Sequence, residues 1–173
     1  MKWYLLAANQ DYDAAQYYIG VLYDNGYGVP QNYGEALKWY LKAADNGYAA
    51  AENNIGNLYY SGYGVPQNYE EALQWYLKAA NQGNGDAQCA IGTLYDEGHN
   101  YEEALKWYLL AAEQGYAAAQ YLVGVHHAKG YGVVQNYEEA LKWHLLAADQ
   151  GDATAQLWIE DHYAKVYGVN QTL

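Results

Sequence analysis

The chain has 173 residues, with 52% apolar and 16% charged side chains, so it folds around a core and is not disordered. Eight cations face 20 acids for a net charge of −12, and every cation is Lys. That balance argues against nucleic acid, anionic membranes and phosphate-rich ligands, which call for clustered cations and often the arginine fork. No apolar run nears the roughly 18 residues of a membrane span, and a single Cys excludes an intrachain disulfide framework.

In chain order, the sequence opens on KWYLLAANQD at Lys2–Asp11, a truncated copy of a phrase that returns four times. The full copies are EALKWYLKAADNG (Glu35–Gly47), EALQWYLKAANQG (Glu71–Gly83), EALKWYLLAAEQG (Glu103–Gly115) and EALKWHLLAADQG (Glu139–Gly151). Trp3, Trp39, Trp75, Trp107 and Trp143 form one ladder, with steps of 36, 36, 32 and 36. Gly20, Gly56, Gly92 and Gly124 form a second, with Glu160 in the fifth place. Such a period marks a repeat architecture. The boundaries it implies are a partial unit 1–12, full repeats 13–48, 49–84, 85–116 and 117–152, and a partial unit 153–173.

Each repeat reads as two helices. Helix A of repeat one spans Ala14–Asn25, with Ala15, Ile19, Leu22 and Tyr23 at helical spacing. Gly20 in mid-helix costs about 1 kcal/mol against Ala, which close helix approach would explain. The turn Gly26-Tyr-Gly-Val-Pro30 follows. Asn32 with Glu35 opens helix B as a capping-box variant, repeated as Asn68/Glu71, Asn100/Glu103 and Asn136/Glu139. Ala36, Tyr40 and Ala43 form the buried stripe. Gly47, Gly83, Gly115 and Gly151 end the B helices in left-handed conformation. Acids in the B first turns complement the helix dipole, and Glu102–Lys106 and Glu138–Lys142 are spaced for i,i+4 pairs.

The pattern Gly20-x-x-Tyr23-x-x-Gly26-x-Gly28-Val29, then Ala36-x-x-Trp39-Tyr40-x-x-Ala43-Ala44-x-x-Gly47, resembles the Sel-one-like repeat, a relative of the tetratricopeptide repeat. The resemblance covers nearly the whole chain. It implies an all-α, right-handed α-solenoid of stacked antiparallel helix pairs, about ten helices here, acting as a protein–protein interaction scaffold or adaptor without enzymatic activity. A secreted branch of that family is associated with β-lactams and carries a Cys pair per repeat; Cys89 alone transfers nothing from it. Repeat three shortens its turn to Gly98-His99-Asn100, and repeat five has Glu160 and Val166 at glycine positions. Neither terminal helix has the look of a polar cap, so end-to-end association, or a place within a longer array, is an expectation.

If tetratricopeptide geometry carries over, the A helices line a concave groove. Its positions lie three before and one, four and five after the glycine ladder. These are Tyr17, Asn53, Cys89, Tyr121 and Leu157; Val21, Asn57, Thr93, Val125 and Asp161; Asp24, Tyr60, Asp96, Ala128 and Ala164; and Asn25, Ser61, Glu97, Lys129 and Lys165. The rows vary between repeats while the scaffold rows stay constant, as a read-out surface does. Asn53 and Asn57, one turn apart, could clamp an extended peptide backbone. Tyr17, Tyr60 and Tyr121 offer aromatic anchors, Asp96 an acidic middle and Lys129 a basic end. The expected partner is a protein or peptide segment. The competing reading, by family analogy, is a glycan, peptidoglycan or β-lactam ligand stacked on Tyr and Trp.

Catalysis has no support in the pattern. Ser61 is the only Ser, Cys89 has no neighbouring base, and Gly-Tyr-Gly-Val-Pro lacks the Lys of a phosphate loop. No cofactor is implied. His126 and His162 replace a ladder Leu, His127 a ladder Tyr and His144 a helix-B Tyr, a gathering that reads as a polar patch and less readily as metal site or pH switch. Met1-Lys2 leads into helix-B sequence and not a signal peptide, so the default expectation is the cytoplasm, or delivery as a bacterial effector.

Overall fold

The computed structural model describes residues 2–167, of which 163–167 as backbone only. The side chains of Ala164, Lys165 and Val166 therefore lie outside the described residues. Among the described residues there are ten helices and no strand. They are α1 (Lys2–Ala8), α2 (Asp13–Asn25), α3 (Tyr33–Asp45), α4 (Ala49–Ser61), α5 (Tyr69–Asn81), α6 (Gly85–Glu97), α7 (Tyr101–Glu113), α8 (Ala117–Lys129), α9 (Tyr137–Asp149) and α10 (Ala153–Tyr167). Even-numbered helices are A helices and odd-numbered ones B helices. The fold is the all-α solenoid of stacked helix pairs. The chain forms two compact bodies, Met1–Ala87 and Gln88–Leu173.

In the N-terminal body, Ala36, Tyr40 and Ala43 of α3 are fully buried against Ala51, Ile55 and Leu58 of α4, with Trp75 packed alongside. Trp39 packs on Ala8, Ala15 and Ile19. In the C-terminal body, Ala104, Leu105, Tyr108, Ala111 and Ala112 of α7 meet Ala119 and Val123 of α8, with Cys89 and Trp143 against them. Three of the ladder Trp thus serve helix packing. Lys42 and Lys78 lie over the Trp39 and Trp75 rings at 4.1 and 3.7 Å, a cation–π contact one turn along the same helix.

The glycine ladder has a single cause. A Cβ on Gly20 would stand 2.5 Å from the Tyr40 ring, on Gly56 2.5 Å from Tyr76, on Gly92 2.6 Å from Tyr108 and on Gly124 2.7 Å from His144. Each of these four A helices is bare at that point so that the aromatic ring of its own B helix can lie against the backbone. Tyr40, Tyr76 and Tyr108 are among the largest fully buried side chains.

Capping follows the sequence in three repeats. The Asn32, Asn68 and Asn136 side chains accept from Glu35, Glu71 and Glu139 backbone N–H. Asn100 does not. Only three residues join α6 to α7, against seven between α2 and α3, and the tight turn holds Asn100 at φ −89°, ψ 68° instead of extended. His99 closes that turn in left-handed conformation, φ 58°. The expected Glu138–Lys142 pair is also replaced: Lys142 bonds Glu139 at 2.7 Å, as Lys38 bonds Glu35 at 2.6 Å, while Lys106 reaches both Glu102 and Glu103. These exposed pairs add little stability.

One recurrent polar contact escaped the sequence reading. The Gln after each later B helix donates its amide to a buried residue of its own A helix. Gln82 Nε2 meets Glu52 Oε2 at 2.6 Å, Gln114 Nε2 meets Gln88 Oε1 at 2.7 Å, and Gln150 Nε2 meets Gln120 Oε1 at 2.8 Å. The signal was in plain view as a Gln repeated at 82, 114 and 150.

Candidate partner-binding face

The buried B-helix tyrosines thread past the glycine ladder and deliver their hydroxyls to the A-helix face. Tyr40 Oη donates to Asp24 Oδ2 at 2.8 Å, Tyr76 Oη to Asn57 Oδ1 at 2.8 Å, and Tyr108 Oη to Thr93 Oγ1 at 3.4 Å. Burial raises the Tyr40 hydroxyl above its ordinary pKa, helped by the Asp24 carboxylate, and burial raises Tyr108 too, so both remain donors. Asp24, Asn57 and Thr93 all belong to rows expected to vary for read-out. Each serves as the acceptor for its repeat's tyrosine.

In the N-terminal body, Tyr17 is half-buried, its ring 5.2 Å from Tyr48 and 5.8 Å from Tyr40. Burial, then Tyr48, holds the Tyr17 hydroxyl above its usual pKa, with the Asn54 side chain opposing. Asn53 is only 8% exposed; its Oδ1 has no hydrogen-bond partner, and its amide is 3.4 Å from Asn54 Oδ1. Asn57 is exposed but its oxygen is taken by Tyr76. The two amides are thus unequal, one sunk and one already bonded. Tyr60 is half-buried with its ring 5.5 Å from Tyr69.

In the C-terminal body, Asp96 is half-buried and its Oδ1 lies 3.3 Å from His126 Nε2. His126 Nδ1 is 3.0 Å from the Tyr131 carbonyl, which can only accept, so Nδ1 carries the proton. Burial depresses the His126 pKa against the pull of the Tyr131 carbonyl and Asp96. His162 does not join His126. Its Nδ1 donates to the Trp158 carbonyl at 3.0 Å, and its ring stacks on Trp158 at 4.4 Å. His127 is half-buried and depressed in pKa by burial. Among the described residues, no group of three His, Cys, Asp or Glu is placed to hold a metal.

Repeat four breaks the tyrosine rule. His144 replaces the tyrosine, and the two acceptor positions are Val125 and Ala128. His144 brings no hydroxyl to this point, and Val125 and Ala128 offer no side-chain acceptor. The space left is a cavity of about 340 Å³. Its walls are Tyr121, Val125, Ala128 and Lys129 from α8, Tyr137 from α9, and Trp158 and His162 from α10. Tyr121 and Lys129, both expected at the site, meet in it. Tyr137 and Trp158 were not foreseen, because they enter from neighbouring helices and not from the rows that varied. Behind the wall, His144 is fully buried, 5.3 Å from Tyr121 and 4.1 Å from Trp158 between ring centres, and neither ring nitrogen has a hydrogen-bond partner. Burial, reinforced by His162, lowers its pKa to about 4, so it is neutral at pH 7.

The sequence profile of the Sel1 repeat matches residues 1–12, 13–48, 49–84, 85–116 and 117–152. A Sel1 repeat protein from Oxalobacter formigenes is 43% identical with a TM-score of 0.80, over 92% of this chain and 68% of that one. An antigen of uropathogenic Escherichia coli, described as a protective antigen displaying an SLR fold, is 38% identical with a TM-score of 0.90, over 99% of this chain. The present chain spans only 38% of that antigen's length. Comparison with curated proteins gives no match. With the repeat profile covering 1–152 and both structures sharing the helix-pair architecture, the chain belongs to the Sel1 repeat family.

Proposed function

We propose that this protein is an interaction scaffold that holds a protein segment along its A-helix face, anchored in the repeat-four cavity. Sel1 repeat folds serve generally as protein–protein interaction scaffolds. The observation that carries the finer reading is the cavity of about 340 Å³ at the point where the tyrosine–acceptor pair is missing. Aromatic walls of Tyr121, Tyr137 and Trp158 suit one apolar or aromatic side chain of the partner, as anchor pockets of interfaces do. Lys129, exposed at the rim, suits a carboxylate beside that anchor. Asp96 adds an acidic group in the same body. Tyr17, Asn57 and Tyr60, with the sunken Asn53, are the corresponding contacts of the N-terminal body. A preformed helical surface limits the entropy lost on binding.

The test is affinity capture from source-cell lysate with three baits. These are the parent chain, Tyr121→Ala/Lys129→Ala, and Asn53→Ala/Asn57→Ala. The proposal expects a partner that the parent retains and the Tyr121/Lys129 variant loses, with the partner's affinity for a purified parent confirmed by calorimetry. Equal retention by all three baits would place the contact elsewhere and refute the A-helix face.

A further inference from the structure

We infer that the α1–α3 end of the N-terminal body carries a second site, distinct from the repeat-four cavity, that receives the guanidinium of an arginine from another molecule. A cavity of about 580 Å³ opens there, lined by Ala8, Asn9, Asp11, Gln16, Trp39, Lys42, Asp45 and Asn46. Two departures from the repeat pattern shape it, one in repeat one and one in the partial unit before it.

The first departure is at the buried polar contact. In the three later repeats, the Gln after helix B donates to the A-helix acceptor Glu52, Gln88 or Gln120. Repeat one has Asn46 in that place. Asn is one methylene shorter, and its amide turns to Asp13 Oδ1 at 2.6 Å instead. Gln16, the acceptor it should meet, is 4% exposed and its Oε1 has no hydrogen-bond partner. The orientation of that amide is fixed by the rest of the array. Gln16 Nε2 lies 3.5 Å from the Ala8 carbonyl, as Gln120 Nε2 lies 3.2 Å from Ala112 and Gln156 Nε2 3.4 Å from Ala148. Gln16 lines the cavity together with Asn46, which stands where the other repeats carry their donor, and the bare oxygen is enclosed within that lining, so an incoming donor must part it to reach the oxygen. A buried acceptor left bare is costly, so a donor supplied from outside gains what the array supplies internally elsewhere.

The second departure is Asp11. The four full repeats place Gly47, Gly83, Gly115 and Gly151 at this left-handed position, whereas Asp11 of the partial unit holds φ 57° with a side chain. Asp tolerates this backbone better than most residues, though at a cost. Its carboxylate and that of Asp45 stand exposed at the cavity rim. The lining thus offers one buried neutral acceptor, two rim carboxylates and the Trp39 ring. A planar cation with several donors matches that set better than a point charge: it can bond acceptors at different depths and stack on indole. The Lys42 ammonium, 4.1 Å from the Trp39 ring, shows that the ring already draws a cation and marks the group a ligand displaces. No arginine occurs in these 173 residues, so the occupant is not supplied by this sequence.

The test titrates N-acetyl-arginine amide into the isotope-labelled chain, reading the Trp39 indole and Gln16 side-chain amide signals by NMR. N-acetyl-citrulline amide (the neutral isostere) and N-acetyl-lysine amide serve as comparisons. Saturable shifts at both reporters with the arginine probe, absent with citrulline, are expected. Asn46→Gln, which restores the donor used by every later repeat, should weaken binding about tenfold while retaining the helical signal and melting temperature. Lys42→Met should tighten it. No shift with the arginine probe, equal binding by Asn46→Gln, or equal response to lysine or citrulline would each overturn the assignment.

Discussion

Replacing Gly56 with Ala would normally stabilise a helix by about 1 kcal/mol. Here the new Cβ would stand 2.5 Å from Tyr76 Cδ1 and Cε1 and 3.1 Å from Cγ, where carbon contacts rest at about 3.5–4.0 Å. The ring must retreat by roughly 1 Å to reach that separation, but it is fully enclosed and its hydroxyl is tied to Asn57 at 2.8 Å. Overpacking of this kind costs about 1–3 kcal/mol, and a strained or broken Tyr76–Asn57 bond adds about 1 kcal/mol. Net of the propensity gain, Gly56→Ala destabilises by about 1–3 kcal/mol. Gly34→Ala is the control, since only Asn32 Oδ1 at 3.4 Å lies near its added Cβ; it stabilises by roughly 0.5 kcal/mol. Urea unfolding followed by circular dichroism reads both, and hydrogen exchange in α4 and α5 localises the loss. The Gly56→Ala/Tyr76→Ala double variant should cost less than the two singles added. A Gly56→Ala protein as stable as the parent would refute the close-packing account of the glycine ladder.

Three further outcomes follow from the described contacts. Asn68→Ala, which removes an acceptor used by Glu70 and Glu71 N–H, costs about 1 kcal/mol, whereas Asn100→Ala costs well under half of that because no cap bond exists there; equal losses in thermal melts would contradict the difference. His144 is held at about 4 against 6.5 by burial, with Tyr121, Trp158, His162 and Asp152 around it. The unfolded chain therefore takes up the proton first as pH falls: stability is full above 6.5 and drops by about 3 kcal/mol by pH 4, His126 adding to the loss in the same direction. His144→Tyr should flatten that profile between pH 7 and 4, and an unchanged profile would contradict the assignment. Lys142→Ala, which breaks a pair between an exposed Lys142 and a half-buried Glu139, should change stability by less than about 0.5 kcal/mol in denaturant titration.

The repeat fold was legible because each structural device is copied: the Asn cap, the bare glycine and the terminal left-handed glycine recur at fixed spacing. Asn100 shows where copying misleads, since a loop four residues shorter changes the backbone torsion that a cap needs. Among the variable rows, three members, Asp24, Asn57 and Thr93, vary with the tyrosine hydroxyl they accept from. Variation at those three positions records packing chemistry. The repeat-four cavity was hidden because it needs three substitutions, His144, Val125 and Ala128, on two helices and a wall from a third. The open end of α1–α3 was hidden for a similar reason: a single missing methylene at Asn46 matters only once Gln16 is known to be buried.

The most direct test of the scaffold account places a photo-crosslinking residue at Val125, within the repeat-four cavity, and separately at Leu146, exposed on helix α9. Irradiation in source-cell lysate, followed by peptide mapping, reads which face a partner occupies. The account predicts a discrete crosslinked protein from position 125, mapped to one short segment bearing an apolar anchor, and none from position 146. Crosslinks from 146 with none from 125 would contradict it.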